Sequence, residues 1–156
     1  MISQENLNKI KKITDEFFKR TSFDIEAEVL PSEEKTIFIK ARTEDPKVLI
    51  GQNGQTLAEI QRLLKSILRR QIPEEFYIDL DINNYKAKKI EYLKETARDL
   101  ADEVSSSRTE KMLAPMPAYE RRIIHLELAD RPDITTESLG QEPDRCVVIK
   151  PYPQGA

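Results

Sequence analysis

The chain has 156 residues, of which 38% are hydrophobic and 34% are charged, and its net charge is -3. This length suits one ordinary domain or two small ones. The composition excludes a disordered chain, and the lack of any run of 18 apolar residues excludes membrane insertion. One cysteine, Cys146, excludes an internal disulfide framework and predicts a reducing compartment, the cytoplasm.

Hydrophobic periodicity in the first half of the chain predicts the element order αββααβ. Apolar residues at intervals of three to four predict helices, and strict alternation of apolar and polar residues predicts strands. These patterns give a helix at 3–20 with Ser3 as its N-cap, strands at 23–29 and 35–41 joined by a turn at 31–34, a short helix around 48–50, a long helix after Gly54 and a strand at 76–82.

The long helix after Gly54 combines an apolar side with a basic side. Its core-facing residues are expected to be Leu57, Ile60, Leu64 and Ile67. On the polar side, Arg62, Lys65 and Arg69 follow one another at three- and four-residue spacings, so they lie on one stripe. Such a stripe can contact phosphates or can be a solvated surface, and the spacing favours neither.

The polar faces of two predicted strands are acidic. The residues concerned are Asp24, Glu26, Glu28, Asp79 and Asp81. Strand alternation places Asp79 and Asp81 on the solvent side, so a solvated face is favoured over a metal pair. This face should repel polyanions. Because the sequence also lacks a Walker A loop, a metal-ligand cluster and a nucleophile-base pair, we expect no enzyme activity.

The second half of the chain predicts another small α+β domain. The pattern gives a helix at 84–106, a short strand at 111–114, a helix from Pro117 to Leu128 and strands at 134–140 and 145–151 around a turn at 140–144. The expected fold class is therefore α+β with two domains, at 1–83 and 84–156.

The loop between the two helices of the first domain has the sequence Gly51-Gln52-Asn53-Gly54. Glycines allow a backbone to approach a phosphate closely, and the following helix N-terminus offers unpaired N–H groups. The segment VLIGQNGQTLAEIQRLLKSIL resembles the signature of type II KH domains, and the resemblance covers residues 1–83. It implies that these four loop residues clamp a nucleic-acid backbone. The family usually carries Lys or Arg between the glycines, whereas Gln52 and Asn53 are neutral.

The start of the long helix has a second interpretation. Thr56 and Glu59 have the spacing of a capping box, in which the two side chains satisfy the first N–H groups of a helix. This interpretation is compatible with phosphate binding at the loop.

In the second domain, Arg121 and His125 are four residues apart, so both lie on one face of the predicted helix. They can contact one phosphate together, or the histidine can be a structural residue among apolar neighbours. The segments PMPAYERRIIHLEL, TTESLG, EPDR and CVVI resemble the domain family named for an Arg and a His separated by three residues. That resemblance implies binding of single-stranded nucleic acid through Arg121 and His125.

A type II KH domain followed by this second domain resembles the bacterial Jag proteins, also called SpoIIIJ-associated proteins. The resemblance implies a cytoplasmic, chaperone-like RNA regulator without cofactor or metal, here without the N-terminal Jag domain of many members. Its ligand would be single-stranded RNA or single-stranded DNA, and its protein partner a KH-domain protein or a second copy of the chain. The alternative is a protein-interaction adaptor with little or no RNA affinity, which the neutral loop and the net acidity favour.

Overall fold

The structure, a computed structural model, describes residues 2–31 and 34–153. The chain divides into two compact units, the first ending at Lys86 and the second beginning at Ala87. Each unit combines helices with a three-stranded sheet, so the mixed α+β class is confirmed. The boundary predicted after residue 83 lies three residues before the division at 86.

The first unit follows the predicted order of elements. They are α1 (Gln4–Lys19), β1 (Glu26–Pro31), β2 (Thr36–Arg42), α2 (Pro46–Ile50), a 3-10 turn (Gln52–Gly54), α3 (Gln55–Gln71) and β3 (Tyr77–Ile82). Ser3 caps α1, as predicted, because its Oγ accepts a hydrogen bond from the Asn6 N–H at 3.2 Å. β1 begins three residues later than predicted, since its pairing with β2 ends at Glu26 and Arg42. Residues 32 and 33 of the predicted turn lie outside the described residues.

The sheet of the first unit has the order β1-β2-β3, with β1 antiparallel and β3 parallel to the central β2. One face of it packs against α1 and α3. The buried core of the unit includes Ile10 and Phe18 from α1, Ile37 and Ile39 from β2, Leu57, Leu64 and Leu68 from α3, and Leu80 and Ile82 from β3. Ile67 was predicted in this core but is half-buried, and Leu68 takes the core position. Ile67 instead lines a groove between α1 and α3.

Side chains from the two packed helices bond to the outer strands of this sheet. The Gln61 Oε1 atom accepts a hydrogen bond from the Leu80 N–H of β3 at 2.9 Å. The Lys11 ammonium donates to the Ala27 carbonyl of β1 at 2.9 Å. Polar groups on the outer strands are therefore partly satisfied from within the unit.

Two residues of the predicted acidic face have partners inside the unit. The Asp79 carboxylate forms an ion pair with Lys86. The Asp81 Oδ1 atom accepts hydrogen bonds from the Ile82 and Lys86 N–H groups at 2.9 and 3.2 Å. The negative charge on β3 is therefore partly compensated, whereas Glu26 and Glu28 on β1 are exposed.

The second unit contains a second sheet and its own core. Its elements are α4 (Tyr85–Ser107), whose first two residues belong to the first unit, β4 (Lys111–Met112), α5 (Ala118–Leu128), β5 (Ile134–Leu139) and β6 (Cys146–Pro151). β6 lies between β4 and β5 and is antiparallel to both. The core is formed by Leu93, Ala97, Ala101 and Val104 of α4, Ile124 and Leu128 of α5, Ile134 of β5 and Val147 and Ile149 of β6, among others. Within the described ranges, none of the helices is both long and apolar enough to span a membrane.

Candidate nucleic-acid interface

The loop at 51–54 joins α2 to α3, and its two glycines are required by the local packing. Gly51 has φ 71°, and a Cβ there would lie 2.1 Å from the Thr56 Oγ1 atom. Gly54 has φ 78°, and a Cβ there would lie 2.9 Å from the Tyr85 Cε1 atom. Both positions combine a left-handed backbone with a close neighbour, so a larger residue is excluded on two grounds. The glycines therefore shape the loop, whatever it binds.

The residues between the glycines are exposed, and no side chain caps the helix that follows. Gln52 and Asn53 face solvent, and Asn53 has φ 52°, a left-handed value that asparagine tolerates. The N-cap of α3 is Gly54, which has no side chain to offer. The positive end of the helix dipole thus lies beside an exposed loop, an arrangement suited to an anion.

The capping box predicted from Thr56 and Glu59 is wrong. Thr56 lies inside α3, one residue after its start, and its side chain fills the space where Gly51 lacks one. The Glu59 carboxylate pairs with Arg62, whose Nη1 atom is 3.2 Å away. A glycine N-cap replaces the box because the loop must turn through left-handed backbone conformations before α3 begins.

The basic stripe predicted on α3 lies on the same helix as the loop. Arg62 and Arg69 are exposed, and Lys65 is half-buried. The Lys65 Nζ atom lies over the Tyr77 ring, 5.7 Å from its centroid. The structure therefore brings the loop and the three basic residues together in one unit, with Lys65 packed on an aromatic ring.

Arg121 and His125 lie on one face of α5, as predicted, but both are bonded within the second unit. The Arg121 side chain is only 8% exposed, and its Nη1 and Nη2 atoms donate to the Glu142 Oε1 atom at 2.9 and 2.8 Å. The His125 Nδ1 and Nε2 atoms each lie 2.7 Å from a hydroxyl oxygen, those of Thr136 and Ser138. The neighbouring Arg122 is exposed.

These contacts favour a neutral imidazole. Burial lowers the pKa of His125, and the positive charge of Arg121 lowers it further. A neutral ring has one N–H donor and one bare nitrogen acceptor, and each hydroxyl can serve either role. His125 thereby joins α5 to β5. Arg121 joins the same helix to the turn before β6, through Glu142.

Sequence reasoning did not identify the partners of these residues. Thr136 and Ser138 lie in the segment TTESLG, and Glu142 in the segment EPDR, both of which carry the resemblance to the second domain. Their spacing from α5, 11 to 21 residues, gives no periodic signal. Tyr85, which closes the space beside Gly54, also had no signal in the sequence.

Two further observations concern sites of other kinds. Cys146 is a free, buried cysteine. Among residues 2–31 and 34–153, no group of three or more His, Cys, Asp and Glu side chains could hold a metal ion.

Comparison with known proteins identifies related sequences. The R-three-H domain family, named for an Arg and a His separated by three residues, matches residues 91–151, a range that includes Arg121 and His125. The chain is 34% identical over 116 residues to a protein of Clostridium symbiosum and 35% identical over 117 residues to one of Bacillus subtilis, each named RNA-binding protein KhpB. Either alignment covers 74% of this chain, and 52% and 56% of the two relatives. A relative of the same name from Lactiplantibacillus plantarum is 34% identical over 102 residues, 65% of this chain and 32% of that protein. The chain thus spans about half or less of the length of these curated relatives.

Proposed function

We propose that this chain, which is similar to proteins named RNA-binding protein KhpB, is itself an RNA-binding protein whose ligand is single-stranded RNA. The observation that carries the proposal is the exposed Gly51–Gly54 loop at the start of a helix that also bears Arg62, Lys65 and Arg69. Backbone N–H groups and a helix N-terminus attract a phosphate, and three basic side chains along the same helix can continue the contact.

For the first unit we propose the type II KH assignment over residues 1–83. The order of its helices and strands and the position of the loop between α2 and α3 support it. In this assignment Gln52 and Asn53 face the nucleic-acid backbone between the two glycines. Their neutral side chains imply a weaker electrostatic contact than a loop with Lys or Arg would give.

For the second unit we propose a weaker contact through Arg121 and His125. The Glu142 carboxylate now occupies the position on the Arg121 guanidinium that a phosphate would take. Because Glu142 is itself 58% exposed, water can solvate its carboxylate when it leaves that position. RNA would then compete with Glu142, so Glu142→Gln should raise RNA affinity a few-fold. A lower melting temperature with unchanged affinity would contradict this contact.

The remaining parts of the proposal concern the setting in which the chain works. A non-enzymatic role without cofactor agrees with the names of the relatives. The cytoplasm suits a chain whose single cysteine is unpaired. A KH-domain protein or a second copy as protein partner, and single-stranded DNA as a second ligand, stay predictions.

A matched pair of arginine substitutions tests RNA binding at α3. Arg69 lies on the stripe with Arg62 and Lys65, whereas Arg70 points about 100° away on the helix. Binding of a labelled single-stranded oligonucleotide, measured by fluorescence anisotropy, should weaken more for Arg69→Gln than for Arg70→Gln. The dependence of log affinity on log salt should become shallower by about 0.7 in the first variant alone. Equal effects would place the contact elsewhere, and no binding by the wild type would favour the adaptor.

A further inference from the structure

The sheet face of the first unit that points away from α1 and α3 carries two exposed aromatic rings. Tyr77, at the start of β3, is 53% exposed, and Phe38, on β2, is 38% exposed. Both alternate with fully or largely buried residues of the opposite face, such as Ile37 and Ile78. In the register of β2 and β3, Tyr77 lies opposite Thr36 and Phe38 opposite Asp79. The two rings are therefore two positions apart on neighbouring strands, about 8 Å between Cα atoms.

Tyr77 is connected to the basic stripe of α3. Lys65 lies between Arg62 and Arg69 on that stripe, and its Nζ atom reaches the Tyr77 ring at 5.7 Å from the centroid. β3 is an outer strand of the sheet, so the contact between Lys65 and Tyr77 lies at an edge of the sheet. A phosphate held by Lys65 would consequently lie next to an exposed aromatic surface.

The charges around Tyr77 favour a polyanion. Asp79, on the same face of β3, is paired with Lys86, and Asp81 accepts two backbone hydrogen bonds. Glu26 and Glu28 on β1 are exposed, and the strand register places them opposite Arg42 and Lys40 of β2. These basic neighbours and hydrogen bonds offset part of the negative charge on the face that carries the aromatic rings.

We propose that Tyr77, with Phe38 beside it, stacks on an unpaired base of single-stranded RNA whose backbone follows the Arg62, Lys65 and Arg69 stripe. The inference rests on the proposed function and adds to it a base-contacting surface outside the Gly51–Gly54 loop. Stacking on an aromatic side chain tolerates any base, since every base has a flat π-face. The lysine beside the ring supplies the phosphate contact that such a surface needs. Recognition here depends on unpaired bases rather than on a particular sequence.

The test compares RNA with bases to a strand without them. Tyr77→Leu keeps an apolar side chain at an exposed position, so the variant should fold. It should bind a single-stranded oligouridine about tenfold more weakly than the wild type does, because one stacked base is lost. Its affinity for an abasic ribose-phosphate strand of the same length should be unchanged.

Tyr92 provides a matched control. It is 61% exposed, and Lys89 lies over its ring at 6.0 Å, yet it belongs to α4 and not to the sheet. Tyr92→Leu should leave the affinity for oligouridine unchanged. An equal loss in both variants would overturn the assignment to Tyr77, as would equal binding by Tyr77→Leu and wild type when the wild type binds well. Failure of the wild type to bind either strand would instead overturn the proposed function.

A direct signal comes from fluorescence, because the chain contains no tryptophan. Tyr77→Trp introduces one at the proposed stacking position, and added oligouridine should quench its emission, whereas the abasic strand should not. Tyr92→Trp should show no quenching. Dissociation of a wild-type dimer by Tyr77→Leu, without loss of RNA binding, would make the surface a protein contact and contradict the proposal.

Discussion

The two regions predicted to contact phosphate differ in how their polar groups are used. In the Gly51–Gly54 loop, the side chains of Gln52 and Asn53 are exposed and the start of α3 lacks a side-chain cap. Around Arg121 and His125, by contrast, a carboxylate and two hydroxyls already occupy the charged and polar atoms. A motif therefore identifies where polar side chains gather. The contacts of those side chains decide whether a substitution reduces binding or stability.

The largest effect on stability is expected at Gly51, which is held by packing although it lies in the exposed loop. Gly51→Ala should lower the free energy of unfolding by about 2–4 kcal/mol, because the new Cβ would meet Thr56 and the backbone has a left-handed φ. Chemical denaturation monitored by circular dichroism measures this loss. Gln52→Ala, at the exposed neighbour, should change stability by less than about 0.5 kcal/mol. Equal stability of the two variants would mean that the glycine is kept for binding alone.

The second effect concerns Arg121 and its exposed neighbour. Arg121→Ala should lower the free energy of unfolding by about 1–3 kcal/mol, since it removes a buried side chain together with its charge-assisted hydrogen bonds to Glu142. Arg122→Ala removes the same type of residue from a solvent-exposed position and should have little effect. Thermal melting of the two variants measures this difference in stability. Similar melting temperatures would show that Arg121 is not structural and would make the two regions alike.

A smaller effect is expected from adding the cation that the loop lacks. Gln52→Lys should raise RNA affinity a few-fold at about 0.1 M salt and steepen the slope of log affinity against log salt by about 0.7, one phosphate contact on a single strand. Gln52 is the better site than Asn53, whose left-handed φ of 52° disfavours lysine.

The control for this variant must change the net charge equally. Gln4→Lys does so on the first turn of α1. The Asn6 side chain of that turn donates a hydrogen bond to Glu74, which follows the C-terminal end of α3. That end lies about 25 Å from the loop, given the 17 residues of α3. An equal gain for Gln4→Lys would indicate long-range electrostatics and remove the loop from the proposed interface.

The smallest effect is a pH dependence of the second unit. Because the folded-state pKa of His125 is lowered, the unfolded state binds a proton more readily. The neutral histidine thus contributes stability above the unfolded pKa, near 6.5, and that contribution is lost as pH falls below it. His125 is the only histidine of the chain, so wild type should lose more stability than His125→Gln between about pH 7.5 and about pH 5.5. Parallel losses in the two proteins would contradict the assignment.

Periodicity predicted most of the fold because it depends on local geometry. The alternating burial along β2 and the N-cap at Ser3 are as expected. The errors lie at positions whose structure depends on another element of the fold. β1 starts at Glu26, the first residue that pairs with β2, and Leu68 is buried in place of Ile67.

The site was predicted less completely, for the same physical reason. The loop, the stripe and the Arg121–His125 pair were visible as short motifs. Glu142, which neutralises Arg121, lies 21 residues away, and Tyr85, which closes the space beside Gly54, lies 31 residues away from it. Contacts across such separations depend on the packed fold, and no spacing rule in one sequence reports them.

The hydrogen bond from Leu80 to Gln61 also bears on self-association. An outer strand with free N–H groups can template a strand from another molecule, which leads to strand exchange or to aggregation. The Leu80 N–H already donates to Gln61 of the chain's own α3, and the Ala27 carbonyl on β1 already accepts from Lys11. At these two points a foreign strand would first have to break an internal bond. The same two side chains that complete the fold thus help to keep separate copies of this chain from joining into a continuous sheet.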